Sequence, residues 1–327
     1  HRLRHRWQRP GRRQQPDRSA AHGKTLGRRW AANSGLQPWL VRRLSASGRR
    51  LSASRISRSN STSSGGAGGA AGASAAFFSV SDLASVRLSY NLSSEDLSNV
   101  GSTTSTSSQI LQDESGSAVR SSVGATYTWD DRNSGLHPKG GMMFQVGNEV
   151  SGLGGDVKVV QTTVRALAET KVLNGDATLR ASFEGGADTS YGDYVTRITD
   201  RYQSAGTLHG FEPNGIGPRD LNALNEDALG GNYFAAAHLE ASFPLGLPEE
   251  YGISGGAFVE AGSIWGLDNK QGTSGVVDDD MHIRTVAGLT LYWTTPLGPL
   301  RFDFTRAGAK EDYDKEQTFD FTIATKF

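Results

Sequence analysis

Ser254 has the surroundings that come closest to those of a catalytic residue. Residues 252–256 read Gly-Ile-Ser-Gly-Gly, which fits the Gly-x-Ser-x-Gly spacing of a serine nucleophile. Such a nucleophile requires a strand, a sharp turn and a helix in that order, because the turn exposes the hydroxyl. Here the motif lies inside an alternating segment that predicts a continuous strand. We therefore expect a protein that is not an enzyme.

The residue types that bind metals and cofactors are present without the necessary spacing. Residues 278–280 are acidic and residues 311–314 contain three acids, but neither run has the ordered ligand spacing of a calcium loop. The seven histidines show no metal-ligand pattern, and the absence of cysteine excludes disulfides, thiolate metal sites and cysteine nucleophiles. A Gly-x-Gly-x-x-Ala spacing at Gly66, Gly68 and Ala71 has neither a strand before it nor a helix after it. We expect no metal and no cofactor.

The elements that would position any site are strands. Segments of alternating polarity recur from residue 77 onward, and no stretch offers a capped 3.6-residue period or the ~18–20 apolar residues of a membrane helix. They predict ten strands, at residues 77–92, 118–130, 139–150, 156–169, 176–187, 232–245, 252–265, 281–294, 298–306 and 317–327. Short connectors alternate with long ones, which is typical of an all-β, transmembrane antiparallel β-barrel.

The final predicted strand has two unlike faces. Side chains on a strand point alternately to opposite sides. Phe319, Phe321, Ile323 and Phe327 therefore share one face, which suits lipid, and Asp320 lies on the other, which suits a wet interior.

The first 75 residues differ in composition from the rest. They contain 16 of the 34 basic residues and one of the 34 acids, which leaves 18 basic and 33 acidic residues in the remainder. This basic, low-complexity segment with a Ser/Gly/Ala linker predicts a disordered arm, an organellar transit peptide or an artefact of a misjoined reading frame. Residues 76–327 predict a partial barrel, whose acidic balance gives no reason to expect nucleic-acid binding.

A long loop between the fifth and sixth predicted strands contains residues 208–220, which read LHGFEPNGIGPRD. Its Gly and Pro residues favour a loop, and its Gly-Phe pair favours an ordered one, because a flexible linker has no use for a buried aromatic. Nearby, His238 and Glu240 share one strand face, and Glu260 lies opposite Val259 on the next predicted strand. A carboxylate inside a narrow lumen needs a partner; alternatively, both acids line a water-filled channel.

This loop resembles the inward-folded loop of the BamA-like outer-membrane assembly factors, the bacterial surface antigen superfamily. Residues 225–245, 256–265, 284–304 and 313–327 look like the closing strands of that family. His209 stands where the family has arginine. The positions that match the loop motif are Gly210, Phe211, Gly215, Gly217, Pro218 and Arg219.

The resemblance implies a fold and a contact. We expect about ten of the family's sixteen strands, in the C-terminal part of the barrel. In the family the arginine at the loop tip pairs with acids on the inner wall, which correspond here to Glu240 and Glu260. Because histidine lacks the permanent charge and the fork of donors of arginine, we expect a weaker, pH-dependent contact from His209.

The resemblance also implies a function, the assembly and insertion of β-barrel proteins into the bacterial outer membrane. Its implied partners are unfolded outer-membrane clients, accessory assembly lipoproteins and the lipid bilayer. The strand with Phe319, Phe321, Ile323 and Phe327 would form one edge of a seam that accepts client strands. The alternatives are a TamA-like factor or secretion pore of the same superfamily, and a passive porin-like channel.

Overall fold

A computed structural model describes residues 61–62, 70–98, 100, 107–132, 140–204, 207–295 and 298–323 of the 327-residue chain. Most of the predicted arm, and Phe327 of the predicted seam, lie outside these residues. The division of the chain at residue 75 therefore stays a prediction.

The described residues form fourteen strands and one short helix. The strands are β1 (Ser61–Thr62), β2 (Ala70–Ser79), β3 (Ala84–Leu97), β4 (Gly116–Asp130), β5 (Gly140–Ser151), β6 (Val159–Val172), β7 (Ala177–Ser190), β8 (Tyr233–Pro244), β9 (Ile253–Trp265), β10 (Gln271–Gly272), β11 (Gly275–Val276), β12 (Arg284–Thr295), β13 (Gly298–Ala307) and β14 (Phe319–Ile323). Helix α1 spans Gln109–Asp113, and 3₁₀ turns lie at Leu173–Gly175 and Glu249–Tyr251.

Twelve of these strands form one sheet in chain order, β1 to β9 and then β12, β13 and β14, and each pairs antiparallel with its neighbours. The prediction of an all-β, antiparallel fold is confirmed. β10 and β11 form a separate hairpin. Across the described part of the chain, no pairing joins β14 back to the first strands. No described helix is long and apolar enough to cross a membrane.

The prediction of one strand over residues 77–92 is wrong, because a tight turn divides this segment into β2 and β3. The amide of Val80 donates to the carbonyl of Ala84 at 2.8 Å, and the amide of Ala84 donates to the hydroxyl of Ser81 at 3.0 Å. The turn, residues 80–83, reads Val-Ser-Asp-Leu and contains no Gly or Pro. Ser81 and Asp82 are its only turn-forming residues, so the sequence signal for the reversal is weak.

The sheet has two faces of opposite character. We call the face that bears His238, Glu240 and Glu260 the polar face, and the opposite one the apolar face. On β14, the apolar face exposes 47% of Phe319 and 42% of Phe321, against strand partners Phe304 and Phe302. Large side chains that remain exposed along a strand face suit contact with lipid rather than water.

The hydrophobic core lies on the polar-face side of the closing strands, beneath the β7–β8 connection. Its buried members are Leu208, Phe211, Ile216, Phe234, Phe258, Ile264 and Val286. The first three belong to the loop and the others to β8, β9 and β12. This core explains why a loop rich in Gly and Pro is ordered: it has its own apolar side chains to bury against the sheet.

Candidate functional site

The β7–β8 loop, residues 191–232, lies on the polar face and carries the predicted motif. Isolated antiparallel bridges join Tyr202 to Gly231, Phe211 to Glu316 and Arg219 to Ala228. The first and last of these fold the loop on itself, and the second ties it to the segment that precedes β14. Sequence reasoning predicts the loop but not these bridges.

Gly210 lies at the tip of the loop, next to His209, where the backbone turns toward the polar face of the sheet. Its backbone has φ of +81°, a conformation that side-chain-bearing residues rarely adopt, and a Cβ there would lie 2.9 Å from Cγ1 of Val286. Gly217 has φ of +101°, and a Cβ there would lie 3.3 Å from Ile264. Both glycines therefore allow the loop backbone to approach the sheet more closely than another residue would.

The residues after Gly210 pair with the segment leading into β14. The amide of Gln317 donates to the carbonyl of Gly210 at 3.0 Å, and that of Glu212 donates to the carbonyl of Lys315 at 2.9 Å. The amide of Lys315 in turn donates to the carbonyl of Gly215 at 3.0 Å. Between these contacts Phe211 is buried in the core. The loop motif and the last strand are therefore one hydrogen-bonded unit.

His209 contacts the polar face of the sheet at Glu260 of β9. Its amide donates to Oε2 of Glu260 at 2.7 Å, and its Nδ1 lies 2.6 Å from Oε1 of the same carboxylate. The Nδ1 atom of His238 lies 2.5 Å from that same Oε1. Glu260 is thus shared by one imidazole from the loop and one from β8.

The second predicted acid, Glu240, is reached through His238 and not through the loop. Its Oε2 lies 3.3 Å from Nε2 of His238 and 3.1 Å from Nη1 of Arg301, and the hydroxyl of Tyr292 donates to its Oε1 at 2.5 Å. We call His209, His238, Glu240 and Glu260 the tip cluster. The strand register brings two members of this cluster together, because His238 on β8 is paired with Glu260 on β9.

Arg219 and Pro218 stabilise the loop itself. The guanidinium of Arg219 is buried and donates to the carbonyls of Glu226 and Asn214, each at 2.6 Å. Burial lowers the pKa of Arg219, although the nearby carboxylate of Glu226 opposes this effect. The carbonyl of Pro218 accepts from the amide of Leu229 at 2.9 Å. The arginine of the motif therefore satisfies carbonyls within a turn-rich segment.

A second polar cluster lies at the base of the loop. Arg201 forms a bidentate pair with Glu114, with distances of 2.7 and 3.1 Å, and both side chains are buried. The Nε atom of Arg201 donates to the carbonyl of Leu229 at 2.8 Å, and the amide of Ile198 donates to Glu114 at 2.7 Å. We call Arg201 and Glu114 the base cluster. It connects the loop to the end of α1, and sequence reasoning assigns neither residue a role.

Ser254 and the two acidic runs, which sequence reasoning considers as candidate sites, lie in a strand and in connecting segments. Ser254 lies within β9 and faces Tyr292 across the ladder, in an extended backbone that forms no nucleophile elbow. Among the acidic runs, Asp279 pairs with Lys270 at 2.7 Å and Asp314 with Arg284 at 2.9 Å. On the strands, sequence reasoning also assigns no role to His238, Arg301, Tyr292 and Asp303. Their shared signal is the two-residue alternation, which places them on the polar face without stating which of them meet.

The comparisons with known proteins agree with one another. The Omp85 superfamily domain matches residues 23–327. The outer membrane protein assembly factor BamA of Neorickettsia risticii (strain Illinois) is 29% identical over 250 residues, 76% of this chain and 33% of that protein. The Homo sapiens sorting and assembly machinery component 50 homolog is 31% identical over 196 residues, 58% of this chain and 39% of that protein. The chain thus spans little more than a third of the length of these relatives.

A solved structure shows the same fold. The crystal structure of BamA from Haemophilus ducreyi lacking POTRA domains 1–3 superposes with a TM-score of 0.66 at 20% identity. The superposition covers 80% of this chain and 55% of that one. The large antiparallel sheet is therefore the counterpart of part of a BamA barrel.

Proposed function

The chain belongs to the Omp85 superfamily, and we propose that it is the barrel portion of a factor that assembles and inserts β-barrel proteins into an outer membrane. The relatives are named as assembly factors of outer membrane proteins and as components of a sorting and assembly machinery. Members of this family are not enzymes. The proposal extends that family-level role to this chain, in an outer membrane of a bacterium or of an organelle.

The edge of β14 carries the proposal. Among the strands that the structure describes, β14 pairs with β13 alone. An unpaired strand edge presents free backbone donors and acceptors, and an incoming extended segment can add to it as a further strand. A client in the process of becoming a barrel consists of such segments. We infer that β14 offers its edge to client strands, while its exposed Phe319, Phe321 and Ile323 face lipid.

The loop supports this role through its contact with the same strand. Its hydrogen bonds to Lys315 and Gln317 are made just before β14 begins. A shift of the loop tip would therefore change the position of the edge strand. We infer that the loop sets where β14 lies when a client strand arrives.

A single-cysteine crosslinking experiment tests the proposal. The native chain has no cysteine, so each variant carries one thiol. Thr322→Cys lies on β14, and Thr163→Cys is a matched control on β6, where an exposed threonine on the polar face is paired on both sides. Each variant of the 327-residue chain is expressed in cells depleted of the endogenous protein, together with a barrel client that carries one cysteine in a terminal strand.

We expect oxidation to join the client to Thr322→Cys and not to Thr163→Cys, and depletion to lower the amount of folded client. Equal crosslinking at both positions would contradict a role for the β14 edge. A passive channel predicts a different result, namely ion conductance by the purified chain with no change in folded barrel proteins after depletion.

A further inference from the structure

We propose that His209, His238 and Glu260 form a binding site for one divalent transition-metal ion of the zinc class. The three residues come from three separate elements: the loop tip, β8 and β9. One nitrogen from each histidine and one carboxylate oxygen lie within 4.8 Å of one another. Two imidazoles and one carboxylate are a ligand set that zinc uses in proteins, with a fourth position left to water.

The short contacts around Glu260 can open into a coordination sphere. The two Nδ1 atoms lie 2.6 and 2.5 Å from the same Oε1 atom. Ligands at about 2.0–2.2 Å from a tetrahedral ion lie roughly 3.3 Å apart. A change of less than about 1 Å in these separations, within reach of small side-chain rotations, therefore places an ion between the three groups. The ion takes the place of any proton that lies between a ring nitrogen and the carboxylate, and that proton is released on binding.

The outer contacts of the two histidines match those of metal ligands. A histidine that binds a metal through one ring nitrogen usually donates its other N–H to a carboxylate, which fixes the ring. The Nε2 atom of His238 faces Glu240 at 3.3 Å, and the Nε2 atom of His209 lies 3.9 Å from Asp303. Each imidazole thus has one nitrogen toward Glu260 and the other toward a second carboxylate.

The electrostatics of Glu260 also favour a bound cation. Its side chain is 2% exposed, and among the described residues only the two imidazoles lie within ion-pairing distance of it. Glu240, in contrast, has Arg301 at 3.1 Å. Phe258 packs against both imidazoles, with ring centroids 5.3 and 5.6 Å away, and shields the carboxylate from water. A carboxylate in such surroundings gains more from a cation than an exposed one does.

A second group of possible ligands is less suitable. His209, Asp303 and Asp320 also lie close enough to share an ion. However, Asp303 already accepts from Arg301 at 2.7 Å and from the hydroxyl of Thr290 at 2.6 Å. One imidazole with two carboxylates also lacks the second nitrogen that favours zinc over magnesium or calcium. The ion therefore belongs on the His238 side of His209.

A metal at this position would cross-link the loop to two strands of the wall. The imidazole side chains of His209 and His238 remain 28% and 20% exposed, so solvent reaches the ligands while the carboxylate stays buried. The expected consequence is a loop that is held more firmly against the sheet with metal than without it. This site is independent of the assembly function, because metal binding is measured on the purified chain without a client.

The test uses Zn²⁺ itself and the 327-residue chain, purified in detergent and stripped with a chelator. His209→Arg is the main variant, because arginine can still pair with Glu260 but cannot bind a metal. His238→Gln removes the second imidazole. His282→Gln is the matched control, because that imidazole contacts Asp278 and Glu311, outside the proposed site. Calorimetry counts the sites, Co²⁺ absorption reports tetrahedral coordination, and limited proteolysis of residues 191–232 reports loop release.

We expect the native chain and His282→Gln to bind one ion more than His209→Arg and His238→Gln, or to bind it at least about tenfold more tightly. Zn²⁺ should slow cleavage of the loop only in the first two proteins. Histidines elsewhere contribute the same background to the native chain, His209→Arg and His238→Gln, and His282→Gln measures the effect of removing a histidine outside the site. Equal stoichiometry, equal affinity and equal Zn²⁺ protection in His209→Arg would overturn the proposal. Displacement of Zn²⁺ by an equal concentration of Mg²⁺ or Ca²⁺ would overturn the assignment to the zinc class.

Discussion

The base and the tip of the β7–β8 loop are attached to the rest of the protein by different cations. In the base cluster, the guanidinium of Arg201 makes a bidentate pair with Glu114 at 2.7 and 3.1 Å. In the tip cluster, the imidazoles of His209 and His238 share Glu260. Both carboxylates are buried, so each requires a partner.

This difference separates a permanent attachment from a conditional one. A guanidinium keeps its charge at every pH at which proteins fold, and it offers a rigid fork of donors. An imidazole changes its charge near neutral pH and can exchange its proton for a metal ion. The cation at the base of the loop therefore keeps its charge, whereas the cations at the tip, which is hydrogen-bonded to the segment before β14, respond to their surroundings.

Loss of the ion pair in the base cluster should lower the stability of the loop more than any other change considered below. Glu114→Gln leaves the buried Arg201 without a counter-charge, which costs about 3–5 kcal/mol in typical proteins. We expect protease cleavage throughout residues 191–232 and a matching loss in the free energy of unfolding in urea. Glu311→Gln is the control, because the carboxylate of this half-buried acid pairs with the imidazole of His282 at 3.4 Å, away from the loop. A loss no larger than that of the control would show that the base cluster does not anchor the loop.

Glu260→Gln should release the tip and leave the base intact. The carboxylate accepts from the amide of His209 and contacts two imidazoles, and charged hydrogen bonds of this kind contribute about 1.5–3 kcal/mol. We expect amide hydrogen exchange at His209 and Gly210 to become at least roughly tenfold faster. Amides near Arg201 should exchange as before. Equal acceleration at both ends would mean that the two attachments are not separate.

Asp220, in the middle of the loop, should make the stability of the loop depend on pH. Burial of the Asp220 carboxyl opposes its ionisation, but hydrogen bonds from Ser108 at 2.7 Å and from Thr273 at 2.8 and 2.9 Å outweigh burial and lower its pKa below 3.8. A lowered pKa contributes stability that is present above pH 3.8 and is lost as pH falls through the folded value.

We therefore expect the native chain to be more stable than Asp220→Asn at pH 5, and this difference to shrink toward pH 2.5. The loss of stability in Asp220→Asn should be smaller than that in Glu260→Gln, because the neutral amide of asparagine keeps part of the hydrogen bonding of the carboxylate. Unfolding in urea at both pH values measures it. A difference that grows as the pH falls would contradict the assignment.

His209→Arg should change the stability of the loop least, and it should raise this stability where the other three substitutions lower it. In metal-free buffer the arginine supplies the permanent charge that the imidazole lacks, so we expect about 0.5 kcal/mol of added stability at the tip, seen as roughly twofold slower hydrogen exchange. Addition of Zn²⁺ should reverse this order, because only the native histidine gains a ligand. Faster exchange in the variant without metal would show that the arginine does not reach Glu260.

Local patterns account for the success of the sequence predictions. Nine of the ten predicted strands correspond to single strands of the sheet, because alternation of side chains is a property of each strand alone. The same alternation places His238, Glu240 and Glu260 on one face. The exception is the turn before β3, where Ser81 and Asp82 interrupt the alternation but no Gly or Pro marks the reversal. Helix α1, within a predicted connector, is too short to show a period.

The amino-acid sequence by itself determined the strand faces and the Gly-Phe loop, since both depend on neighbouring residues. Only the tertiary structure decided which polar residues meet: His209 and Glu260 are 51 residues apart and His238 and Glu260 are 22 apart. It also decided that Arg219 contacts carbonyls of its own loop. The physical reason is that such contacts depend on strand register and on the path of the loop over the core, and both follow from packing across the whole sheet.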